Sequence, residues 1–540
     1  MASQEADIIG RGTWLDRVAS ELLAREKALG RSTSLLRVES GLGASGIPHI
    51  GSVGDAIRSY GVKLALETLG YKSELIAYSD DLDGLRKVPA GFPEWLKDFI
   101  AHPVTRIPDP FGCHNSFGAH TGGLLRAALD ELGIPYTFRS GAEVYKSGLL
   151  NPQIKKILDN AQLVGKMIKK LTGQEKYLTV IPYTPICENC GRLYTTLVSS
   201  YDPAAMVVHY KCASAEIGSS VVKGCGHEGD RRVTEGEGKL IWKSEFAARW
   251  AALDVRFEAY GKDIEESVKI NDWISEHILA FPPPYHARYE MFQDKSGRKV
   301  SKSVGNVITI RDWLTYASPE SVRLLMFKRI VGARSISVDD VPVYMDELDE
   351  LEDHYFSKSK DPNALKEARL RGLYEYTMLT QVPQRPSVHV PYRLLAELGG
   401  TAPEKNSVEY VAKRLIAYGA TKEPPGPDLV RRIDWATAWA KREGASEAGH
   451  EVPELSDRQR AAISQFARDL RKAKSAEDIQ GAAFSAMRDN GLQASQFFPA
   501  VYEILLGSER GPRLGPYVND AGPIQVSDKL EKAISFGRHN

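Results

Sequence analysis

Cysteine is scarce. The 540-residue chain has 5, and four of them, Cys187, Cys190, Cys212 and Cys225, fall in one short window. That pattern suits a reducing compartment and a metal site better than a disulfide framework. Long hydrophobic runs are also missing: nothing approaches the roughly 18 consecutive apolar residues of a transmembrane helix. Net charge is absent too, since Lys+Arg and Asp+Glu are both 70. A globally basic surface is therefore excluded, and any nucleic-acid surface must be local. No internal repeat or low-complexity tract is present. Residues 1–10 carry acids and no apolar run of signal-peptide length, so the expected location is the cytoplasm, with no membrane partner.

What is present is an ordinary globular composition, 42% apolar, long enough for about three or four domains. Residues 14–30 read as an amphipathic helix through Leu15, Val18, Leu22 and Leu23. A strand Leu35–Val38 runs into the Gly-rich turn 41–46, then a helix from about Gly51 to Leu69, then a strand Leu75–Tyr78 ending in Ser79-Asp80-Asp81. Strand, loop, helix, strand in that order begins a parallel α/β sheet. Further strand–helix units are readable near 135–170, 178–184 and 238–275. After about 340 strand signals fade; Leu348, Leu351 and Tyr355 share a helix face, and Ser456-x-x-Gln459 forms a capping box before Ile463, Phe466 and Leu470. The expected organisation is an α/β Rossmann-like parallel-sheet domain in two parts, 1–185 and 238–340. An insertion over 186–237 separates them, and an all-α region follows over 341–540.

Three constellations carry chemistry. Pro48-His49-Ile50-Gly51-Ser52 lies between the first strand and its helix, where free N–H groups and the helix dipole favour an anion. Its bland reading is a turn glycine beside a capping histidine. Lys299-Val300-Ser301-Lys302-Ser303 follows a turn; two lysines at this spacing can close over a triphosphate, although a basic surface loop has the same composition. Cys187-x-x-Cys190 with Cys212 and Cys225 has the bite for tetrahedral Zn²⁺, with His227 as an alternative last ligand because the second knuckle is long. Cys113 stands apart and is expected to be a packed thiol. Lysines 155, 156, 166, 169 and 170 on a helix over 152–171 could meet RNA phosphate, but a solvated helix face is the favoured reading.

His49-Ile50-Gly51-Ser52 resembles the HIGH signature of class I aminoacyl-tRNA synthetases, with Ser52 for the final histidine. Lys299–Ser303 resembles the KMSKS signature, with Val300 for methionine. The runs 39–46, 80–89, 107–114, 238–242 and 248–250 resemble the class I lysyl-tRNA synthetase family over essentially the whole chain. One departure is Ile264, where that family often has histidine.

The resemblance implies a ligase that activates L-lysine with ATP and Mg²⁺ and transfers it to tRNA(Lys), with a structural Zn²⁺ in the insertion and anticodon reading by the helical region. It implies catalytic roles for His49, Gly51, Lys299 and Lys302, and ATP contacts from Pro48, Ser52, Ser301 and Ser303 as well. A lysine substrate needs carboxylates for its ammonium and an aromatic wall for its stem. Glu39, Asp80 and Asp81 are the candidate acids, beside Gly41 and Gly43, and Trp242 is the candidate wall. Phe466, Phe497, Phe498 and Tyr502 are candidates for stacking anticodon bases, with core packing as the competing role. The rivals are a class I synthetase for glutamate or cysteine, a non-catalytic RNA-binding relative, and a nucleotidyltransferase unrelated to tRNA.

Overall fold

The computed structural model describes residues 8–44, 46–218, 220–293, 308–403, 405–442 and 453–536. It divides into two compact units. The first comprises residues 1–311, 322–337 and 360–382; the second comprises 312–321, 338–359 and 383–540. The division does not follow chain order.

The first unit opens with helix α1 (Trp14–Ala28), started by a Thr13–Asp16 capping box and burying the apolar stripe expected of it. Strand β1 (Leu36–Leu42) leads into α2 (Ile50–Thr68), then β2 (Ser73–Ser79). Next come α3 (Phe117–Glu131), β3 (Thr137–Ser140), α4 (Gly141–Lys146), α5 (Asn151–Asp159) and α6 (Ala161–Thr172). The single helix expected over 152–171 is thus two, broken where Asn160 leaves helical geometry.

An antiparallel pair, β4 (Tyr183–Pro185) with β10 (Gly238–Leu240), forms the stem of the insertion. Between them lie β5 (Thr196–Asp202), β6 (Val207–Cys212), β7 (Ala215–Ile217), β8 (Ser220–Val222) and β9 (Glu228–Arg232). β5, β6 and β9 make an antiparallel sheet, and β7–β8 a hairpin. The chain returns through α7 (Trp242–Leu253), β11 (Val255–Gly261), α8 (Glu265–His277) and β12 (Tyr285–Tyr289).

The main sheet has the order β12-β11-β1-β2-β3, and every pairing in it is parallel. Successive connections leave β1 on one side and arrive at β11 on the other, so strand order reverses between these two neighbours. In open parallel sheets the crevice beyond the strand ends at such a reversal is where ligands bind. The helix Ala364–Thr377 also belongs to this unit: Tyr376 donates its hydroxyl to Asp16, and Arg323 donates to the Thr377 carbonyl at 2.7 Å.

The second unit contains only helices as regular elements among its described residues, from Val341–Phe356 through Pro523–Phe536. Ser456 and Gln459 form the capping box that their spacing predicts. Phe466 and Phe497 are fully buried and Tyr502 nearly so. That overturns these three as base-stacking platforms: their rings make the core of the bundle. Phe498 is half-buried and meets the exposed Phe484 edge-on, with ring centroids 5.6 Å apart.

Candidate active site at the sheet edge

β1 is longer than its sequence pattern indicates, so Glu39 lies within the strand rather than at its end. The loop after it delivers His49 to the N-cap of α2. Its Nδ1 accepts the N–H groups of Gly51 (3.1 Å) and Ser52 (3.2 Å), and Ser52 Oγ accepts the His49 N–H. An Nδ1 that accepts carries no proton, so the neutral ring is an Nε2–H donor. The folded ring also explains the glycine: a Cβ at Gly51 would stand 2.9 Å from it. The amides assigned to phosphate are therefore engaged by His49. Pro48 is buried behind the loop, Gly43 is exposed, and Gly41 lies under the acidic network described next.

Five carboxylates and two cations meet beside β1, β2 and β11. Glu39 on β1 and Glu258 on β11 are register partners. Arg249, 1% exposed, forms an ion pair through Nε with Glu39, donates Nη1 to Asp80 at 3.2 Å and Nη2 to Glu258 at 3.2 Å, and lies over the Tyr78 ring at 4.5 Å. Lys239, also buried, pairs with Asp83 and, at 2.7 Å, with Glu245. Trp242 donates its indole N–H to Asp83 at 3.0 Å.

Burial raises the Glu39 carboxyl well above the usual range and moves Asp80 up to about 7, with Arg249 opposing both shifts. Burial alone would lower the Arg249 pKa; Glu39, Glu258 and Asp80 raise it instead. Both Glu39 carboxylate oxygens lack a hydrogen-bond partner, Oε1 meeting Arg249 only as an ion pair. Asp81 faces elsewhere: it accepts the Ala142 N–H at 2.8 Å and so holds the start of α4. Ile264 is partly buried and packs against the hydrophobic core.

Asp83, Lys239, Glu245, Arg249 and Glu258 were not named as site residues from the sequence, although the runs 80–89, 238–242 and 248–250 contain three of them. A signal existed. Trp242, Glu245 and Arg249 recur at i, i+3 and i+7, which is one face of α7. Two of those positions carry charge on a helix buried nearly all round. Lys299, Ser301, Lys302 and Ser303 lie outside the described residues.

Two clusters offer metal-type donors. The sulfurs of Cys187, Cys190, Cys212 and Cys225 all lie within 4.8 Å of one another. Cys187 and Cys225 Sγ are 3.6 Å apart, and Cys190 and Cys212 Sγ 3.7 Å. Four thiolates at about 2.3 Å from a tetrahedral Zn²⁺ would be about 3.8 Å apart, so the set fits that ion. His227 Nε2 instead lies 3.5 Å from Glu188.

The second cluster corrects the expectation for Cys113, which is exposed rather than packed. Its Sγ is 3.1 Å from both His114 Nδ1 and His120 Nδ1, and 3.3 Å from Asp109. Asp109, Cys113, His114 and His120 each place a ligand atom within 4.8 Å of the others. Counting cysteines alone missed it, because its other donors are His and Asp.

A doubly wound parallel sheet with a signature loop at its reversal point and a Cys-bearing insertion defines a nucleotide-binding enzyme of the synthetase type. The sequence matches the family described as "tRNA synthetases class I (K)" over residues 12–379, and the chain belongs to that family. It is 48% identical over 524 residues to a lysine–tRNA ligase of Cenarchaeum symbiosum, covering 97% of this chain and 99% of that one. A lysine–tRNA ligase of Haloarcula marismortui is 30% identical, covering 94% and 95%. One of Roseobacter denitrificans is 33% identical, covering 97% and 96%.

Proposed function

We propose that this chain is a lysine–tRNA ligase. It joins L-lysine to ATP as lysyl-adenylate, releasing pyrophosphate, and passes the lysyl group to a 3′-terminal ribose hydroxyl of tRNA(Lys). The observation that carries the choice of amino acid is the charge of the network. Five carboxylates meet two buried cations in ion pairs, and neither oxygen of the buried Glu39 carboxyl accepts a hydrogen bond. Such a site favours one further cation, which would draw its raised carboxyls into the ionised form, and disfavours a glutamate side chain, whose carboxylate would be buried beside them.

In this reading Glu39, Asp80 and Asp83 supply the field that holds a substrate ammonium, and Trp242 walls its methylene stem. Gly41 keeps the approach open, since a Cβ there would stand 3.6 Å from Arg249 and 3.7 Å from Asp80. His49 Nε2–H donates to a phosphate oxygen. The lysine carboxylate attacks the α-phosphate in line, and positioning with charge stabilisation does most of the work. Lys299 and Lys302, with Ser301 and Ser303, close over the leaving pyrophosphate. Mg²⁺ arrives with ATP. The four insertion cysteines would hold a structural Zn²⁺, and the Asp109 quartet offers a second site of mixed O, S and N donors. No helix among the described residues is long and apolar enough to cross a membrane; we assign the enzyme to the cytoplasm.

The test is ATP–pyrophosphate exchange with each of the twenty amino acids. Exchange with lysine alone is expected. Exchange with glutamate or cysteine in its place, or with none, overturns the reading.

A further inference from the structure

Helix α2 presents His49 at its start and also meets the chain on both sides of Lys299 and Lys302. After them in sequence, the Ile308 carbonyl accepts the N–H of Ile50, the residue next to His49, at 2.8 Å. Before them stand Tyr289, which ends β12, and Phe292, which opens a short strand β13 (Phe292–Gln293) parallel to β14 (Arg334–Ser335). Arg58, about two turns along α2 from Ile50, lies 4.1 Å from the Tyr289 ring centroid and 5.7 Å from that of Phe292. Tyr289 also donates its hydroxyl to Asp55, three residues before Arg58 on the same helix.

Arg58 is costly as a packing residue. It is 1% exposed, and its Nε and Nη1 have no hydrogen-bond partner. A second guanidinium, that of Arg334, lies 5.0 Å from the same Phe292 ring. Burial, and then Arg334, push the Arg58 pKa down to about 9 against the opposing pull of Asp55, so the group is still a cation at neutral pH. Gly54 makes room for it: a Cβ there would stand 2.7 Å from Nη1. Stability alone would be served as well by an apolar side chain of similar volume, which leaves no N–H group unmet. What only the cation supplies is attraction to two ring faces, which fixes both rings relative to α2.

We propose that Arg58 is a positioning residue for adenylate formation: through Tyr289 and Phe292 it sets the strand leading toward Lys299 and Lys302 against the helix that presents His49. Arg58 acts through these rings and not on the substrate. The consequence falls on the transition state, because the two lysines act on charge that develops as pyrophosphate leaves. The proposal rests on the adenylation reading above, in which His49 and the lysines serve one reaction.

The experiment uses the full chain with Arg58→Met, Arg58→Lys, Phe292→Leu, and Arg58→Met combined with Phe292→Leu. Each is measured in lysine-dependent ATP–pyrophosphate exchange and in thermal unfolding. Arg58→Met should lower kcat by about 10- to 100-fold, the upper figure being what a misplacement of about 1 Å can cost. Its KM for lysine should stay within about twofold, and its Tm should be unchanged or higher. Arg58→Lys keeps a cation beside the rings and should recover most of kcat. Phe292→Leu should lower kcat in the same way. The double variant should lose little more than Arg58→Met, because both changes break one contact.

A folded Arg58→Met protein with wild-type kcat overturns the proposal. So do losses that multiply in the double variant, and a kcat loss accompanied by a lowered Tm that Arg58→Lys does not relieve. Should Arg58→Met fail to fold, Phe292→Leu decides: a native kcat there overturns the proposal, and a fall in kcat at constant KM and Tm upholds it. A wild-type protein without lysine exchange overturns the adenylation reading and this inference with it, whereas an active wild type leaves only the role of Arg58 at issue.

Discussion

Glu39 and Arg249, 210 residues apart in sequence (249 − 39), form a fully buried ion pair at the reversal point of the sheet. The same guanidinium holds Glu258, the register partner of Glu39 on the adjacent strand, and Asp80. Without it, three carboxylates would face one another at low dielectric.

Arg249→Met should therefore destabilise the first unit strongly. Removing one member of a buried ionic cluster costs about 3–5 kcal/mol, because the remaining charges are left uncompensated. Urea denaturation should show that loss. Arg249→Lys should recover only part of it, since a single ammonium cannot reproduce the guanidinium's bonds to three acceptors. A Met variant as stable as wild type would mean that the acids are neutral in the native protein.

The second prediction concerns pH. Burial holds the Asp80 carboxyl at about 7, so it is protonated below that value. If Asp80 must be ionised to receive an ammonium, KM for lysine in pyrophosphate exchange should fall about tenfold per unit as pH rises toward 7, then level off. Asp80→Asn should raise KM and flatten the profile. Stability runs the other way. A raised native pKa means the native state holds a proton that the unfolded chain, at about 3.9, has released. This stabilising contribution is full below about pH 4 and is lost as pH rises through 7. A flat lysine profile between pH 5.5 and 8 in the wild type would exclude Asp80 from substrate binding.

The strand–loop–helix around His49 was legible because its signals are local: alternating apolar residues, a glycine run and a helix start. Asp80 was legible for the same reason, standing where a strand stops. The partners of these residues were not, since Lys239, Arg249 and Glu258 reach the site only through the parallel crossover that brings β11 beside β1. Asp81 shows the limit from the other side. Its neighbour faces the network, yet Asp81 itself turns to the α4 N-terminus, and nothing in the dipeptide distinguishes the two. The helix Ala364–Thr377 carries little amphipathic pattern, and nothing in its sequence tells which unit it joins.

Zinc content should separate the two donor clusters. Purified without chelator, the protein should carry about two equivalents. Cys187→Ser should remove one, with loss of thermal stability, because metal binding at a closed thiolate site is folding free energy. Cys113→Ser should remove the other and leave the insertion cysteines loaded. Less than half an equivalent in the wild type would reject both assignments. One equivalent, insensitive to Cys113→Ser, would reject the Asp109 quartet alone.

Amide acceptors and side-chain anchors place the helix Ala364–Thr377 in the first unit. Tyr376 bonds Asp16 of α1, Arg323 reaches Thr377, and a Cβ at Gly372 would stand 2.4 Å from the Arg11 carbonyl oxygen. A chain cut near residue 345 therefore loses part of its own catalytic unit, whereas one ending at 382 keeps it. Leu373, Tyr374 and Tyr376 are each at most 8% exposed; at about 25 cal/mol per Å² of apolar surface, losing three such side chains costs several kcal/mol. The 345 form should unfold at lower temperature than the 382 form by circular dichroism. The 382 form should keep lysine-dependent exchange within about tenfold, because the acidic network and His49 lie wholly within residues that it retains. Charging of tRNA should fall much further, since a single α/β unit cannot span from the acceptor end to the anticodon, and the missing helices are the part that would reach it. That loss should appear in KM for tRNA and weaken with added salt, as phosphate contacts do. A folded 382 form that loses exchange as severely as charging would place a component of adenylate formation within residues 383–540 and refute this division of labour.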